Sequence, residues 1–341
     1  MWSPEHLLRR RVAGSAEATE TGKRVPLLQR SSDRAMTTVA DAVTSRVDLS
    51  PEEAVAYSRL RAICRELGST LVAFSAGVDS TLLLKVCVDE LGDRALAATA
   101  VSESYPSHEL QQAKRLARDI GVRLILVETH ELADENYASN PTNRCFYCKQ
   151  ELFTTIFPVA TEEGLATVVY GANLDDTGDY RPGMQAAKAM GARAPLLEAG
   201  LGKPEIRAIS RHLGLETWDK PAFACLSSRI PYGERVTPEK LAQIDQAEMA
   251  LYEAGFRQVR VRHHGELARI EVPPSDLPRF FSDGINVLVT SRLKAIGFRH
   301  VTLDLQGYRS GSLNEGLSAA IASAGTPAIG SRRVLPVVNV S

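Results

Sequence analysis

The strongest constraint on the fold is an alternation of short apolar runs with longer stretches of helical period between residues 51 and 170. Apolar residues recur at helical spacing over 51–67 and stop at Gly68, a common helix terminator. Residues 71–74 are continuously apolar and too short for a helix, which predicts a buried strand. A tight loop of small residues follows at 75–80, and 81–91 is helical again. Further strands are predicted at 95–101, 123–128 and 167–170, with helices at 107–120 and 149–163. Strands and helices alternating at these lengths predict an α/β fold, a parallel sheet covered by helices on both faces. Ligands of such sheets bind at the carboxyl ends of the strands. The chemically distinctive residues of this chain fall just after predicted strands.

The pattern changes near Trp218. A loop rich in Pro, Cys, Ser and Arg over 220–235 leads into a helix at 238–253. Strand-like runs at 258–262 and 267–272, a helix at 287–296 and a strand at 301–305 then predict a small α+β domain. The expected organisation is a disordered extension over 1–46, a first domain over 47–218, a second over 219–308 and a flexible Gly/Ser/Ala-rich tail over 309–341. Polar residues without period, including Arg9, Arg10 and Arg11, underlie the first of these expectations. Met36 is an alternative start. No internal repeat is evident.

Composition bears mainly on partners. With 341 residues, 44% of them hydrophobic, the chain can bury a sizeable core. Its net charge of −1 gives no electrostatic reason to expect a nucleic acid or a membrane surface. No apolar run approaches the ~20 residues that span a bilayer, and no secretion signal is evident. A cytoplasmic location follows as an expectation. Five cysteines, Cys64, Cys87, Cys145, Cys148 and Cys225, are too unevenly spaced for a disulfide scaffold. Cys64 and Cys87 sit beside Ile63 and Val86 at apolar helix positions and read as core.

Two segments carry chemistry. The first, Phe74-Ser75-Ala76-Gly77-Val78-Asp79-Ser80-Thr81, joins a predicted strand to a predicted helix. Small residues let backbone N–H groups approach an anion, and the helix start adds its positive dipole end. Ser75, Ser80 and Thr81 add hydroxyl donors, and Asp79 can orient the loop or hold Mg²⁺. The loop is neither a Walker A sequence nor a dinucleotide-binding Gly-x-Gly-x-x-Gly. The competing interpretation is an ordinary turn capped by Ser and Asp. The second segment, Asn140-Pro141-Thr142-Asn143-Arg144-Cys145-Phe146-Tyr147-Cys148-Lys149, sets two thiols three apart beside two cations, which favour thiolates. The spacing suits Zn or an iron–sulfur cluster. The one further cysteine that stands out is Cys225, in a polar Pro- and Arg-containing loop. Three thiolates leave one iron of a four-iron cluster open, whereas structural Zn wants four ligands, so the count favours the cluster. A ligand-free helix start for Cys145 and Cys148, and a small buried hydrophobe for Cys225, are the plainer alternatives.

The phosphate loop resembles the Ser-Gly-Gly-x-Asp-Ser pyrophosphate loop of the N-type ATP pyrophosphatases, with Ala76 in place of the first Gly. That methyl would crowd the phosphate if the position needs positive φ. From about Ser58 to Tyr308 the chain is similar to the LarE family of sulfur transferases. The resemblance rests on this loop, Ser104-Tyr105-Pro106, the segment around Cys145 and Cys148, and Tyr170-Gly171-Ala172-Asn173-Leu174-Asp175-Asp176. It extends to Tyr180-Arg181-Pro182-Gly183, Ala224-Cys225-Leu226-Ser227-Ser228-Arg229 and Val259-Arg260-Val261-Arg262-His263-His264.

The resemblance implies an adenine nucleotide alpha-hydrolase-like ATP pyrophosphatase domain. It further implies that ATP adenylates the carboxylates of pyridinium-3,5-dicarboxylate mononucleotide and that a cysteine thiolate then displaces AMP. That activity serves the nickel-pincer nucleotide cofactor of lactate racemase. The sulfur is either that of Cys225, leaving dehydroalanine, or a sulfide on a [4Fe-4S] cluster held by Cys145, Cys148 and Cys225. Having all three cysteines, the chain looks like the cluster-bearing branch. Cys225 and Asp79 are then the catalytic residues. Ser75, Ala76, Gly77, Asp79, Ser80, Thr81, Asp176, Arg181, Arg229, Glu248, Arg260 and Arg262 are implied to contact nucleotide, Mg²⁺ or substrate. A small pyridinium mononucleotide, a sulfur donor and a homo-oligomer are the implied partners. Arg260 and Arg262 share one strand face and could grip phosphate or carboxylate; a solvated basic face is the alternative. Loop capping competes for Asp176 and Arg181.

Other readings stay open on the residues alone. A tRNA-thiolating enzyme shares the loop and the Cys-x-x-Cys pair, but no basic RNA-binding surface is evident. Amide formation with ammonia would leave the Cys225 loop without a use. A metal-stabilised nucleotide-binding regulator is the non-enzymatic alternative, separable by substrate-dependent pyrophosphate release.

Overall fold

In the computed structural model, which describes residues 48–178, 182–221, 224–309 and 313, the apolar run after Gly68 is the strand β1 (Thr70–Ala73). It lies near the middle of a four-stranded parallel sheet of order β3-β2-β1-β4, completed by β2 (Ala95–Val101), β3 (Leu124–Glu128) and β4 (Thr167–Tyr170). The predicted parallel sheet is thus observed. Helix α1 (Pro51–Glu66) enters through a capping box in which Ser50 and Glu53 exchange hydrogen bonds of 2.7 and 3.2 Å. Helices α2 (Val78–Leu91) and α3 (Ser107–Ile120) follow β1 and β2. The single turn α4 (Glu135–Ala138) and α5 (Arg144–Glu162) connect β3 to β4. After β4 come α6 (Pro182–Ala189), the turn α7 (Pro195–Glu198) and α8 (Lys203–His212).

The two-residue period of the strands sorts the core onto two faces. Val72, Ala97 and Val169 pack with Leu60, Leu83, Leu84, Ile206 and Ile209 of α1, α2 and α8. Leu71, Leu96, Ala98 and Val168 face the opposite way, onto Phe153, Ile156 and Ala160 of α5. Cys64 and Cys87 are fully buried in the first of these layers, with their sulfurs 3.6 Å apart, as a core reading requires.

Beyond Trp218, α9 (Pro238–Glu253) packs on a second sheet of order β5-β6-β7 together with α10 (Ile285–Ile296). Strand β5 (Arg260–His264) pairs antiparallel with β6 (Leu267–Glu271), and β6 pairs parallel with β7 (His300–Leu303). Strand pairing begins only where Arg260 meets Glu271, so β5 starts two residues later than its apolar pattern predicts. Both sheets belong to one compact unit of the chain from Ser45 onward. The extension predicted over 1–46, and nearly all of the tail predicted over 309–341, lie outside the described residues. No helix among the described residues is long and apolar enough to cross a membrane.

One boundary matters for the site. Helix α5 starts at Arg144, five residues before the helical period becomes visible, and so carries Cys145 and Cys148 on its first turns. Asn140 just before it takes a left-handed φ of 58°, and Asn143 is the N-cap of the helix. The charged and sulfur side chains of those first turns carry no apolar stripe, which hid the helix start from the sequence.

Candidate active site

The chain runs β1 to β2 to β3 outward on one side, and then returns to place β4 on the other side of β1. This is a topological switch point, where open α/β sheets hold ligands beyond the strand carboxyl ends. Ala73 of β1 and Tyr170 of β4 are in register, so the loops 74–77 and 171–176 leave side by side. Their approach is close. A Cβ on Gly171 would stand 2.9 Å from the Ser80 amide nitrogen, and only glycine fits there.

The loop is built by short-range bonds. The Ser75 amide donates to Ser80 Oγ at 3.2 Å, Ser80 Oγ donates to the Gly77 carbonyl at 3.3 Å, and the Ser75 and Ser80 hydroxyls are 3.1 Å apart. Gly77 is the N-cap of α2 and offers no side chain, which leaves the first amides of a fourteen-residue helix available to an anion. Thr81 Oγ1 is buried without a hydrogen-bond partner. Ala76 sits at φ 57°, the left-handed region in which a Cβ is disfavoured, so the position needs the glycine conformation without the glycine. Asp79 accepts from Asn173 Nδ2 at 3.2 Å and is ion-paired with Lys203, the first residue of α8. Asp176 accepts from the Asn173 amide at 3.1 Å, the loop-capping role weighed for it. Arg181 lies outside the described residues.

Two tethers join this loop to the Cys225 loop. Lys220 Nζ donates to the Ala76 carbonyl at 2.9 Å, to Glu109 Oε2 at 2.5 Å and to Gln112 Oε1 at 2.6 Å. The Leu226 amide, next to Cys225, donates to the Ser104 carbonyl at 2.9 Å, and the adjoining Tyr105 hydroxyl donates to the Ser75 carbonyl at 3.2 Å. The two halves of the Lys220–Glu109 pair shift in ways that look contradictory. Burial holds Lys220 below the usual lysine range against the pull of Glu109. Burial pushes Glu109 up, but His108 and Lys220 outweigh it and hold the carboxyl below its ordinary value. Three acceptors around one nitrogen require three donors, which only the ammonium provides, so the pair is read as charged.

Cys225 is partly buried at the entry to a single 3-10 turn, Leu226–Arg229. Arg229 is 1% exposed and forms a two-pronged ion pair with Glu248, itself 0% exposed, at 2.8 and 2.9 Å. The same guanidinium donates to the Ala224 carbonyl at 2.7 Å and the Cys225 carbonyl at 3.0 Å. Burial opposes both charges, yet the pairing wins: Arg229 is raised and Glu248 lowered. Arg262 donates to the Ser228 carbonyl at 2.7 Å and pairs with Glu271 at 2.8 and 3.0 Å. Arg260 stacks 5.4 Å from the Tyr308 ring centroid. Both strand arginines are buried, so the solvated basic face considered from sequence is not what forms. The Tyr137 hydroxyl and Ser227 Oγ, 2.7 Å apart, pin the same turn from α4.

Cys145 is exposed and Cys148 half-buried. Burial pushes the Cys148 thiol up, and the charges of Cys225, Glu131 and Cys145 add to that. The three thiols therefore share one neighbourhood. Among the described residues, no three His, Cys, Asp or Glu side chains stand in ready metal-binding geometry. Cys145 and Cys225 act on the buried cation Arg144, whose charge would offset that of a cluster if these thiols held one. Lys203, Lys220 and Tyr137 escaped the sequence reading. The Gly202-Lys203-Pro204-Glu205 helix-start signal pointed near Lys203, and Lys220 opens the 220–235 loop already singled out.

Sheet order, switch-point loop and uncapped helix start define the class, an α/β protein of the ATP pyrophosphatase type with an appended mixed sheet. No family model matches the chain. An uncharacterized protein of Synechocystis sp. is 49% identical over 259 residues, 76% of this chain and 97% of the relative. The pyridinium-3,5-bisthiocarboxylic acid mononucleotide synthase of Lactiplantibacillus plantarum is 39% identical over 264 residues, 76% of this chain and 94% of the relative. A stretch of 114 residues, 30% of this chain, is 26% identical to the argininosuccinate synthase of Haloarcula marismortui. At 39% identity over 76% of its length, the chain belongs to the family of the Lactiplantibacillus synthase, the LarE family.

Proposed function

We propose that this chain is an ATP-dependent sulfur transferase. It adenylates the carboxylates of pyridinium-3,5-dicarboxylate mononucleotide and converts them to thiocarboxylates, on the way to the nickel-pincer nucleotide cofactor of lactate racemase. Membership of the synthase family supports the reading. The observation that carries it is the double tether, Lys220 to Ala76 and Leu226–Ser104/Tyr105–Ser75, which couples the reactive thiol's loop to the phosphate loop. Without that coupling, an activated carbonyl and the sulfur would have no fixed relation.

A substrate carboxylate oxygen attacks the α-phosphorus of ATP, and the bond to pyrophosphate breaks. The amides at the start of α2 and the hydroxyls of Ser75, Ser80 and Thr81 receive the negative charge that develops on the leaving group. Asp79 would hold Mg²⁺ on the phosphate oxygens once released from Lys203, whose ammonium is then free to face phosphate. In one route the Cys225 thiolate attacks the acyl carbon and AMP departs, since adenylation has turned a poor electrophile into a reactive one; elimination then breaks the Cβ–Sγ bond of Cys225, releases the thiocarboxylate and leaves dehydroalanine. In the alternative route Cys145, Cys148 and Cys225 would all be ligands of a [4Fe-4S] cluster, which when bound would supply the sulfide that displaces AMP. Arg260 and Arg262 are placed to meet substrate phosphate or carboxylate from the β5 side.

The test is to mix the full-length protein with ATP, Mg²⁺ and the pyridinium dicarboxylate nucleotide, follow pyrophosphate, and weigh the products. Pyrophosphate release that depends on the nucleotide, with thiocarboxylate formed, is expected. Asp79→Ala should lose both, whereas Cys225→Ala should keep a single round of pyrophosphate release and form no thiocarboxylate. Absence of substrate-dependent pyrophosphate release would overturn the reading. Anaerobic reconstitution should give a brown protein absorbing near ~400 nm that Cys145→Ala, Cys148→Ala and Cys225→Ala each abolish. A colourless protein whose Cys225 loses the mass of hydrogen sulfide in turnover would point to the sacrificial route instead.

A further inference from the structure

Helix α8 carries three cations at four-residue spacing, Lys203, Arg207 and Arg211, which keeps them on one face. Ile206, Ile209 and Ser210 are its buried residues. Like charges at this spacing destabilise a helix. The one acid of α8, Glu205, accepts from the Gly202 amide at 3.0 Å and does not relieve them.

Each cation is instead engaged outside the helix. Lys203 is ion-paired with Asp79 of the phosphate loop. One turn on, Arg207 forks onto two main-chain oxygens, the Trp218 carbonyl at 2.6 Å and the Lys220 carbonyl at 2.9 Å. A further turn on, Arg211 lies 4.9 Å from the Trp218 ring centroid. The segment held by the two arginines is the 3-10 turn Glu216–Asp219 with Lys220, the strap through which the chain enters the Cys225 loop. Lys220 is thereby gripped at both ends, its carbonyl by Arg207 and its ammonium by the Ala76 carbonyl. Water satisfies the last carbonyls of an ordinary surface turn. Here a planar fork fixes two of them, from the same helix face that reaches Asp79.

We infer that the stripe Lys203–Arg207–Arg211 sets the Cys225 loop in register with the phosphate loop, and that Arg207 is the positioning residue at its centre. Arg207 acts through the strap and not on nucleotide or substrate. Its loss should leave adenylation in place and misdirect the sulfur-transfer step, whichever sulfur is transferred. The inference rests on the sulfur-transfer reading for that consequence, but the placement of the strap can be measured without it.

Two readouts separate this role from stability alone. In Trp2→Phe full-length protein Trp218 is the sole tryptophan, and acrylamide quenching of its emission reports the strap with no ligand added. Arg207→Met should raise that quenching about twofold, as an indole now 37% exposed opens to solvent. An unchanged quenching would overturn the inference. In turnover with ATP, Mg²⁺ and the pyridinium dicarboxylate nucleotide, Arg207→Met should keep the first round of pyrophosphate release within about threefold and lower thiocarboxylate formed per pyrophosphate about tenfold. Arg207→Lys keeps the charge but not the fork, and should behave like Arg207→Met. Arg211→Gln, on the last turn of α8, should show the same split at about threefold, and decides the matter should the Arg207 variants not fold. If pyrophosphate and thiocarboxylate fall in proportion in these variants, Arg207 only caps the turn and the inference is overturned. Raised quenching in a protein that releases no pyrophosphate would leave the placement of the strap standing and remove the proposed function instead.

Discussion

The two loops that make the candidate site are held in opposite ways. The phosphate loop is secured by its own neighbours: Ser75, Gly77 and Ser80 bond one another within five residues. The Cys225 loop has bonds of its own, from Arg229 to the Ala224 and Cys225 carbonyls and from Ser228 to the Cys225 carbonyl, but it also leans on residues far along the chain. Its turn is fixed by Glu248 through Arg229, by Arg262 from β5, by Tyr137 and Arg144 from the far side of the first sheet's connections, and by Ser104. A self-supporting loop can bind nucleotide wherever its strand and helix form. A loop borrowed from five other segments exists only in the finished fold, which suits a thiol that should be exposed to reagents only beside activated substrate.

The contrast can be broken most directly at Glu248. As a partner of Arg229 it is structural, whereas the family resemblance implies a place near substrate. We expect Glu248→Gln to cost about 3–5 kcal/mol in urea unfolding, because it strands a buried guanidinium. Stability within about 1 kcal/mol of the unaltered protein, with only the KM for the nucleotide changed, would return Glu248 to the substrate site and show that the Cys225 loop does not depend on it.

Next in size is the tether itself. Lys220→Met removes three donors and leaves Glu109 buried beside His108 at 3.4 Å, for an expected loss of about 2–3 kcal/mol. The pH dependence has a definite sign. Glu109 is depressed in the fold, so its contribution is complete above the ordinary carboxylate value of 4.5 and is lost as pH falls through the lower folded value. The stability gap between Lys220→Met and the unaltered protein should therefore be widest near neutrality and narrow on acidification. A gap that widens toward acid would mean Lys220 and Glu109 are not an ion pair.

How much was legible follows the same division. The strand–turn–helix around Asp79, helix α3 and helix α9 could be read from period and small residues because local sequence determines them. That Ala76 would be the awkward residue of the loop was legible too, and its φ of 57° bears it out. What could not be read were partners 83 to 144 residues apart: Arg144 with Ser227 and Lys220 with Ala76. A single sequence carries no periodicity for such pairs, and Lys220 looks like any surface lysine until the fold buries it. Arg260 and Arg262 show the converse failure. Their shared face was correctly expected, but whether that face meets solvent depends on what packs over it.

The self-supporting loop can be probed by crowding it. Gly171→Ala places a methyl against the Ser80 amide and the Asp79 backbone at 2.9–3.2 Å, with no flexible side chain to yield. We expect a loss of about 1–3 kcal/mol and a larger proportional loss of ATP-dependent pyrophosphate release, because α2 must shift at the amides that face phosphate. If stability falls while nucleotide affinity is unchanged, the phosphate does not sit over the start of α2.

The smallest effect is expected at Ala76, and its smallness is informative. Left-handed backbone costs a residue with a Cβ about 1–2 kcal/mol, which Ala76→Gly would relieve. Against that, glycine adds backbone freedom to the unfolded chain, worth about 0.5–1 kcal/mol. The methyl is also fully buried in the layer formed with Leu82 and Val86, and losing it costs about 0.8 kcal/mol. The terms nearly cancel, so the melting temperature should move by only a few degrees in either direction. This balance explains how the loop tolerates alanine: the strain of the backbone is offset by a methyl buried in the core. ATP affinity should accordingly change less than about threefold, below the ~1.4 kcal/mol that marks a tenfold effect. A tenfold or greater gain on Ala76→Gly would show instead that the methyl crowds the phosphate, and that the loop binds nucleotide in a backbone conformation other than the one it holds here.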